Sequence, residues 1–397
     1  MRDSRGGAVI PLVRNEGRVQ RCIMAKPWAT RIRPSRASVA LLALLWLSAC
    51  RWIATGSPTP LHPAPSNAVQ YVDACAPACT DSLDIVAMGV AGFLVVPWQD
   101  TTRLVLAPPM FTNPTVPWLV FGDLMFGTRP DTAQISKRLA AMPAANAERL
   151  GRVQAVLVGH GHYDHLLDLP PLLPRMPRAR VYGSETVRNL LAPVGTLADS
   201  MRVAVDTLAA SSGARTGQSI AVSPFIALRA ITWAHAPNIG SITIAPGHQR
   251  TPRRTLPRTV HGWQMGTPYA WVVDMRQSPD PASAVAVRVV YHDAAADADV
   301  QRRAAEVIAT LPEAHATVVI ITAANFDQAN AYPDVLLAHL EPQHVLLGHW
   351  DDFFRSSDKA ERVVRGTNAE ALVRRITPFI GPRWSAARAG TVTRVRW

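Results

Sequence analysis

The sequence predicts an α/β protein, built from β-sheets covered by helices, and three observations carry that reading. Apolar runs of strand length alternate with helix-like stretches from residue 83 onward. The run Val153-Gln-Ala-Val-Leu-Val158 has the composition of a strand buried on both faces. Hydrophobic residues make up 48% of the 397 residues and charged ones only 18%, which supplies a large core and excludes a disordered polyelectrolyte or a coiled coil.

The N-terminal region reads as an address. Residues 1–37 hold nine basic and two acidic side chains, so seven of the twelve net positive charges lie there and the remainder of the chain carries a modest surplus. That distribution argues against nucleic acid as a partner. An uncharged run, 37–49, follows and ends at Cys50. A basic segment, a short apolar segment and small residues before a cut describe a secretory signal peptide, because a membrane span needs about 20 apolar residues. Leu47-Ser48-Ala49-Cys50 resembles the bacterial lipobox, which implies lipid attachment at Cys50. By the same resemblance, Arg51 in place of Asp favours the outer membrane, on the periplasmic side of the cell envelope. An ordinary cleaved signal or an uncleaved anchor is the alternative, and Met24 is an alternative start. The chain thus divides into a signal segment (1–49), a tether and N-terminal segment (50–82) and one domain (83–397). Cys22 would be removed and Cys50 lipidated, leaving Cys75 and Cys79 for a local disulfide in an oxidising compartment. A cysteine pair also binds metal, but no second pair or partnering His lies near it.

Within the domain, 83–96 and 102–106 read as an opening hairpin with Gly89 and Gly92 between its arms. Residues 133–150 read as a helix, and 153–158 as the buried strand. A helix-like segment, a strand at 179–183 and a helix from 185 to about 191 follow. Strands are expected at 225–233, 269–273, 284–291, 316–322 and 344–347, and helices at 299–310, 333–340 and 359–376. No internal repeat is visible. Residues 245–262 carry Arg250, Arg253, Arg254 and Arg258 with no acidic residue, a basic loop long enough to have a function of its own.

Directly after the buried strand come His160-Gly161-His162-Tyr163-Asp164-His165, three imidazoles and a carboxylate in six residues. Two His at i and i+2 of an extended segment point the same way and can share one metal ion. Asp164 and His165 begin the next turn and can reach a second ion.

The cluster resembles the His-x-His-x-Asp-His signature of the metallo-β-lactamase superfamily, which implies an αββα four-layer sandwich with metal ligands on strand-end loops. The resemblance asks for a His, an Asp and a His downstream, each after a strand, and is met by His235, Asp293 and His349. His292 is a competitor for the place of Asp293. Val345-Leu-Leu-Gly-His-Trp350 and Met88-Gly-Val-Ala-Gly-Phe-Leu-Val95 look like the phospholipase D-like and lactonase-like branches, so the resemblance spans roughly 83–355. It implies two divalent metal ions, one held by His160, His162 and His235, the other by Asp164, His165 and His349, with Asp293 bridging. Zn²⁺ is the first choice, with Mn²⁺ or Fe as alternatives. Such a pair, about 3.5–4 Å apart, activates a water for attack on a carbonyl carbon or phosphorus. The chain departs from the family where Asp-Pro commonly ends the second hairpin strand, since Leu106-Ala107-Pro108 has no carboxylate, and where Val90 replaces a His.

The function expected is a metal-dependent hydrolase at the cell envelope with Asp164 in a catalytic role. Its substrate is a small molecule or lipid, first a phosphodiester or phospholipid-like ester. A lactonase or amidase with the same site is the alternative within enzymes, and a non-catalytic metal-binding envelope module the alternative outside them. His248 and His261 in the basic loop, and Phe353-Phe354 beside His349, are further candidates for substrate contact. Oligomeric state is not readable from the sequence.

Overall fold

The computed structural model describes residues 61–74, 79, 81–238, 242–356, 359 and 361–397. The expected signal segment, the lipidation site Cys50 and Cys75 lie outside the described residues; Cys79 is disulfide-bonded.

Among the described residues, strands numbered in chain order form two mixed sheets. The first runs in the order β1 (Val69–Asp73), β15 (Val392–Arg396), β2 (Ser82–Gly89), β3 (Gly92–Pro97), β4 (Leu104–Ala107), β5 (Val153–Leu157), β6 (Arg180–Gly183) and β7 (Arg202–Ala204). The second runs β14 (Trp384–Ala386), β13 (His344–Gly348), β12 (Ala314–Thr322), β11 (Val285–Tyr291), β10 (Tyr269–Arg276), β9 (Ile226–Thr232) and β8 (Ile220–Ala221).

Period-two alternation sorts the side chains into layers. Ile85, Phe93, Val95, Val105, Ala155 and Leu157 of the first sheet meet Leu228, Trp271, Val273, Val289, Val318 and Ile320 of the second in one core. Their neighbours Val86, Leu94, Leu104, Leu106, Val153 and Val156 face outward onto helices, including Ile135 and Leu139 of Thr132–Ala140. Outward residues of the second sheet, among them Val272, Val290, Val319 and Leu347, pack on Val307, Leu336, Leu372 and Ile376 of Ala298–Ala309, Asp334–Leu340 and Ala369–Ile380. This is the αββα four-layer sandwich expected.

Strand polarity positions the site. Strands β4 to β7 run parallel, so the C-terminal end of β5 opens at one edge of the first sheet. In the second sheet β9 and β11 both lie antiparallel to β10, and β11 to β13 run parallel. The C-terminal ends of β9, β11 and β13 therefore share an edge, and each is followed by one of the downstream His or Asp candidates.

Several elements differ from expectation. The helix expected over 133–150 is Thr132–Ala140, a tight turn Pro143–Ala145 and Ala147–Gly151, because Pro143 removes an amide donor in mid-run. The last helix starts at Ala369, where the Asn368 side chain caps the Ala371 amide, and Gly366 holds a positive φ just before it. The N-terminal segment before residue 83, where no strand was expected, contributes β1, which pairs with β15 and thereby joins the first sheet. The short edge strands β7, β8 and β14 and the helical segment Trp118–Phe126 carry too few periodic residues to be seen in the sequence.

A candidate metal centre

Strand β5 ends and the backbone runs through Val158 and Gly159 into the His-rich loop, where His162 precedes the helical turn Tyr163–Leu166 that carries Asp164 and His165. The glycines are dictated by crowding. A Cβ on Gly159 would sit 2.2 Å from the Asp293 carboxylate, and one on Gly161 would sit 2.3 Å from the Gln264 carbonyl. The loop is fixed by Gly161 N donating to Met265 O (2.8 Å) and Tyr269 N donating to Gly159 O (2.8 Å).

All seven residues expected at the site converge. His160, His162 and His235 form one group of ligand atoms mutually within 4.8 Å; Asp164, His165 and His349 form a second. A third joins Asp293 to His160 and His165, one member from each of the other two, which is the position a shared ligand requires. His160 Nδ1 lies 2.9 Å from Asp293 Oδ1, and His160 Nε2 lies 2.9 Å from His162 Nδ1. On the other side, His349 Nε2 is 3.1 Å and His165 Nε2 3.5 Å from Asp164 Oδ2. His349 sits at φ +52°, an uncommon conformation held by its amide donating to Val90 O (2.8 Å) and its carbonyl accepting from Ala324 N (3.2 Å). The hairpin tip therefore acts through its backbone: Val90 braces His349, and the Val90 amide donates to Asp351 Oδ2 at 3.1 Å. His292 points elsewhere. It stacks on Trp233 with ring centroids 4.7 Å apart and faces Tyr332, inside the outer core of the second sheet.

Electrostatics favour lone-pair donors. Burial, with the neighbouring imidazoles adding, pushes His160 well below the ordinary histidine range, and burial with His235 brings His162 to about 4. Burial likewise lowers His235, whose Nδ1 lies 2.5 Å from Ala236 O. For Asp164 burial acts upward, but the charge of His165 and the hydrogen bond from His349 prevail and hold it well below the usual carboxylate range. His160, His162 and His235 are thus held as neutral imidazoles, with Asp164 held as a carboxylate on the other side of the site.

These residues fit divalent cations. His162 Nε2, both ring nitrogens of His165, His349 Nδ1 and Asp293 Oδ2 are buried with no hydrogen-bond partner among the described residues. His165 Nδ1 lies 3.4 Å from Asp293 Oδ2, within ion-pair range but not aligned as a hydrogen bond. An orphaned buried polar atom costs about 1–3 kcal/mol, so this many within the three overlapping ligand groups fit coordination.

Two supporting residues escape the sequence reading. Asp168, three positions past His165, is buried and its Oδ2 accepts from Phe111 N (2.6 Å) and Thr112 N (2.7 Å), tying the ligand-bearing turn to the loop after β4. Gly159 is the other. The signals were present, a carboxylate one helical turn beyond the cluster and glycines alternating with histidines. Phe353 is the candidate from 353–354 nearest the centre, its ring 4.9 Å from that of His349, while His248 and His261 are exposed on the basic loop.

The profile of the Beta-lactamase superfamily domain matches residues 124–284, a stretch that holds His160 to His165 and His235 and stops before Asp293 and His349. No curated relative matches the chain by sequence. Among solved structures, the chain is similar to the metallo-beta-lactamase fold protein YhfI from Bacillus subtilis, at 12% identity and a TM-score of 0.44, covering 79% of this chain and 100% of that one. It is also similar to Igni18, a metallo hydrolase from Ignicoccus hospitalis, at 12% identity and a TM-score of 0.42, covering 79% and 98%. Zn²⁺-bound PqqB from Methylobacterium extorquens matches at 10% identity and a TM-score of 0.39, covering 78% and 99%.

Proposed function

We propose that this chain is a metal-dependent hydrolase with a dinuclear centre, acting on a phosphodiester or phospholipid-like ester at the cell envelope. The observation that carries the reading is the convergence of seven His and Asp donors from four separate segments into three overlapping ligand groups. His160, His162 and His235 would hold one cation, Asp164, His165 and His349 the other, and Asp293 would be shared. Divalent cations bound there supply Lewis acidity toward the scissile ester and lower the pKa of water at neutral pH.

The chain's own groups do the rest. Asp164, held ionised, orients the attacking water and accepts its proton at the carboxylate oxygen that His349 and His165 do not engage. Phe353, against His349, keeps bulk water from that side of the ligand shell. An anionic ester is favoured by the loop 245–262, with four Arg and no acidic residue. That loop is joined to the ligand loop through Met265, whose amide donates to Ala245 O and whose carbonyl accepts from Gly161 N.

The test is elemental analysis of the purified full chain, coupled to a panel of phosphodiester, lactone and lactam substrates. The expected result is about two ions per chain and turnover of phosphodiesters. Asp164→Ala should remove turnover by at least about a hundredfold while the protein stays folded by circular dichroism. Undiminished turnover in that variant defeats the mechanism. Turnover of lactones alone moves the substrate to a carbonyl ester, and fewer than about one ion per chain with no turnover leaves a non-catalytic module.

A further inference from the structure

The helical segment Trp118–Gly122 and Asp123–Phe126 faces the wrong way for an ordinary surface helix. Its inward side is Leu119, packed on the outer core of the first sheet, with buried Gly122 and Asp123. Its outward side is apolar: Trp118 is 41% exposed, Phe121 66%, Leu124 84%, Met125 73% and Phe126 61%. These are five of the nine exposed large hydrophobics among the described residues, so the exposure is one patch rather than scatter.

The patch is held rigidly and framed by positive charge. Asp123, the segment's only charged side chain, is turned inward to accept from Val260 N (3.0 Å to Oδ2) and Thr128 Oγ1 (2.5 Å to Oδ1). Thr128 N donates to Arg258 O at 2.8 Å, Trp118 Nε1 donates to Thr128 Oγ1 at 3.2 Å, and the Trp118 and Phe126 rings stack with centroids 6.0 Å apart. The apolar knuckle is thereby bonded to the loop 245–262, whose Arg250, Arg254 and Arg258 are exposed, and Arg129 is exposed beside it. The nearest exposed acid in sequence, Asp131, caps the next helix through Gln134 N. An apolar tip with exposed Arg129 and Arg258 at its base matches one partner chemistry, an anionic lipid surface, where apolar side chains enter the acyl boundary and arginines meet phosphate headgroups. A second protein copy offers no reason for the two arginines.

We propose that residues 118–126 are an interfacial anchor, inserting Trp118, Leu124, Met125 and Phe126 into an anionic lipid surface while Arg129 and Arg258 engage its headgroups. The anchor shares Arg258 with the basic loop of the proposed function, but its apolar residues belong to none of the candidate ligand groups.

The test is co-sedimentation of the full chain with phosphatidylcholine vesicles, with and without about a third phosphatidylglycerol. Binding is expected to be stronger to the anionic vesicles. The double variant Leu124→Ser/Met125→Ser, both positions exposed, should fold normally and lose about tenfold in partition. Arg129→Gln/Arg258→Gln should lose roughly fivefold per arginine on anionic vesicles and nothing on neutral ones. Amide exchange over 116–126 should slow when anionic vesicles are added. Val69→Ser, an exposed apolar change on β1, should bind as the parent does. Asp164→Ala should also bind unchanged, which separates this result from any failure of the catalytic reading. Equal partition of Leu124→Ser/Met125→Ser and parent, or no protection over 116–126, overturns the anchor. So does a Leu124→Ser/Met125→Ser variant that only converts a dimer to a monomer in sedimentation velocity.

Discussion

Single residues at this site are chosen by space before chemistry. Gly159 has none: the ideal Cβ position is 2.2 Å from both Asp293 carboxylate oxygens. Gly159→Ala must displace the Asp293 carboxylate, the proposed shared ligand, so metal content per chain should fall by about half and turnover by at least about a hundredfold, read by elemental analysis and kinetics on one preparation. A variant that keeps its metal would show that Asp293 is not a ligand. A histidine away from the centre gives a cleaner reading of pH. His344, at the start of β13, lies with Nε2 2.8 Å from Ser385 Oγ, and burial with Arg383 adding brings it from 6.5 to about 4. Between those values the unfolded chain binds a proton that the folded chain does not, so stability falls as pH is lowered from about 6.5 and the loss is complete below about 4. His344→Gln should flatten the decline of melting temperature across that window. An unchanged slope would mean that His344 titrates normally.

Elements carry the site through a few ties that cross between them. The turn holding His165 is bound to the loop after β4 by Asp168, whose carboxylate accepts two backbone amides. Asp168→Ala leaves both amides buried and unpaired, and should cost about 2–4 kcal/mol in a denaturant titration, with weaker metal retention because His165 lies one turn away. Asp168→Asn keeps an acceptor oxygen and should recover most of that loss; equal losses would point to charge rather than acceptance. Elements of this molecule were legible where periodicity is long. Strands β2, β5, β11 and β12 and the helix Ala298–Ala309 have buried faces that repeat over several residues. The tail strands β14 and β15 were not, because their meaning lies in partners far away in sequence: β15 sits between β1 and β2, an arrangement no local pattern encodes. The site was legible for a related reason. Each candidate ligand follows a strongly apolar strand, so chemistry and periodicity mark the same place, whereas the Asp168 carboxylate serves amides far off in sequence and the Val90 brace acts through backbone groups with no composition of their own.

At the scale of the whole molecule, the centre is a joint between the two sheets. His160, His162, Asp164 and His165 follow β5 of the first sheet, while His235, Asp293 and His349 follow β9, β11 and β13 of the second. Both carboxylates reach across: Asp293 lies 2.9 Å from His160 and Asp164 lies 3.1 Å from His349. Ligands that bind only the folded state add their binding free energy to its stability. Chelation should therefore lower the melting temperature by on the order of 5–10 °C, and stoichiometric Zn²⁺ should restore it. Amide exchange should quicken together in the loops after β5, β9, β11 and β13, because the joint fails as one unit. If the loop after β5 alone responded while the loops of the second sheet stayed protected, the cations would belong to one sheet, and the shared position of Asp293 would be wrong.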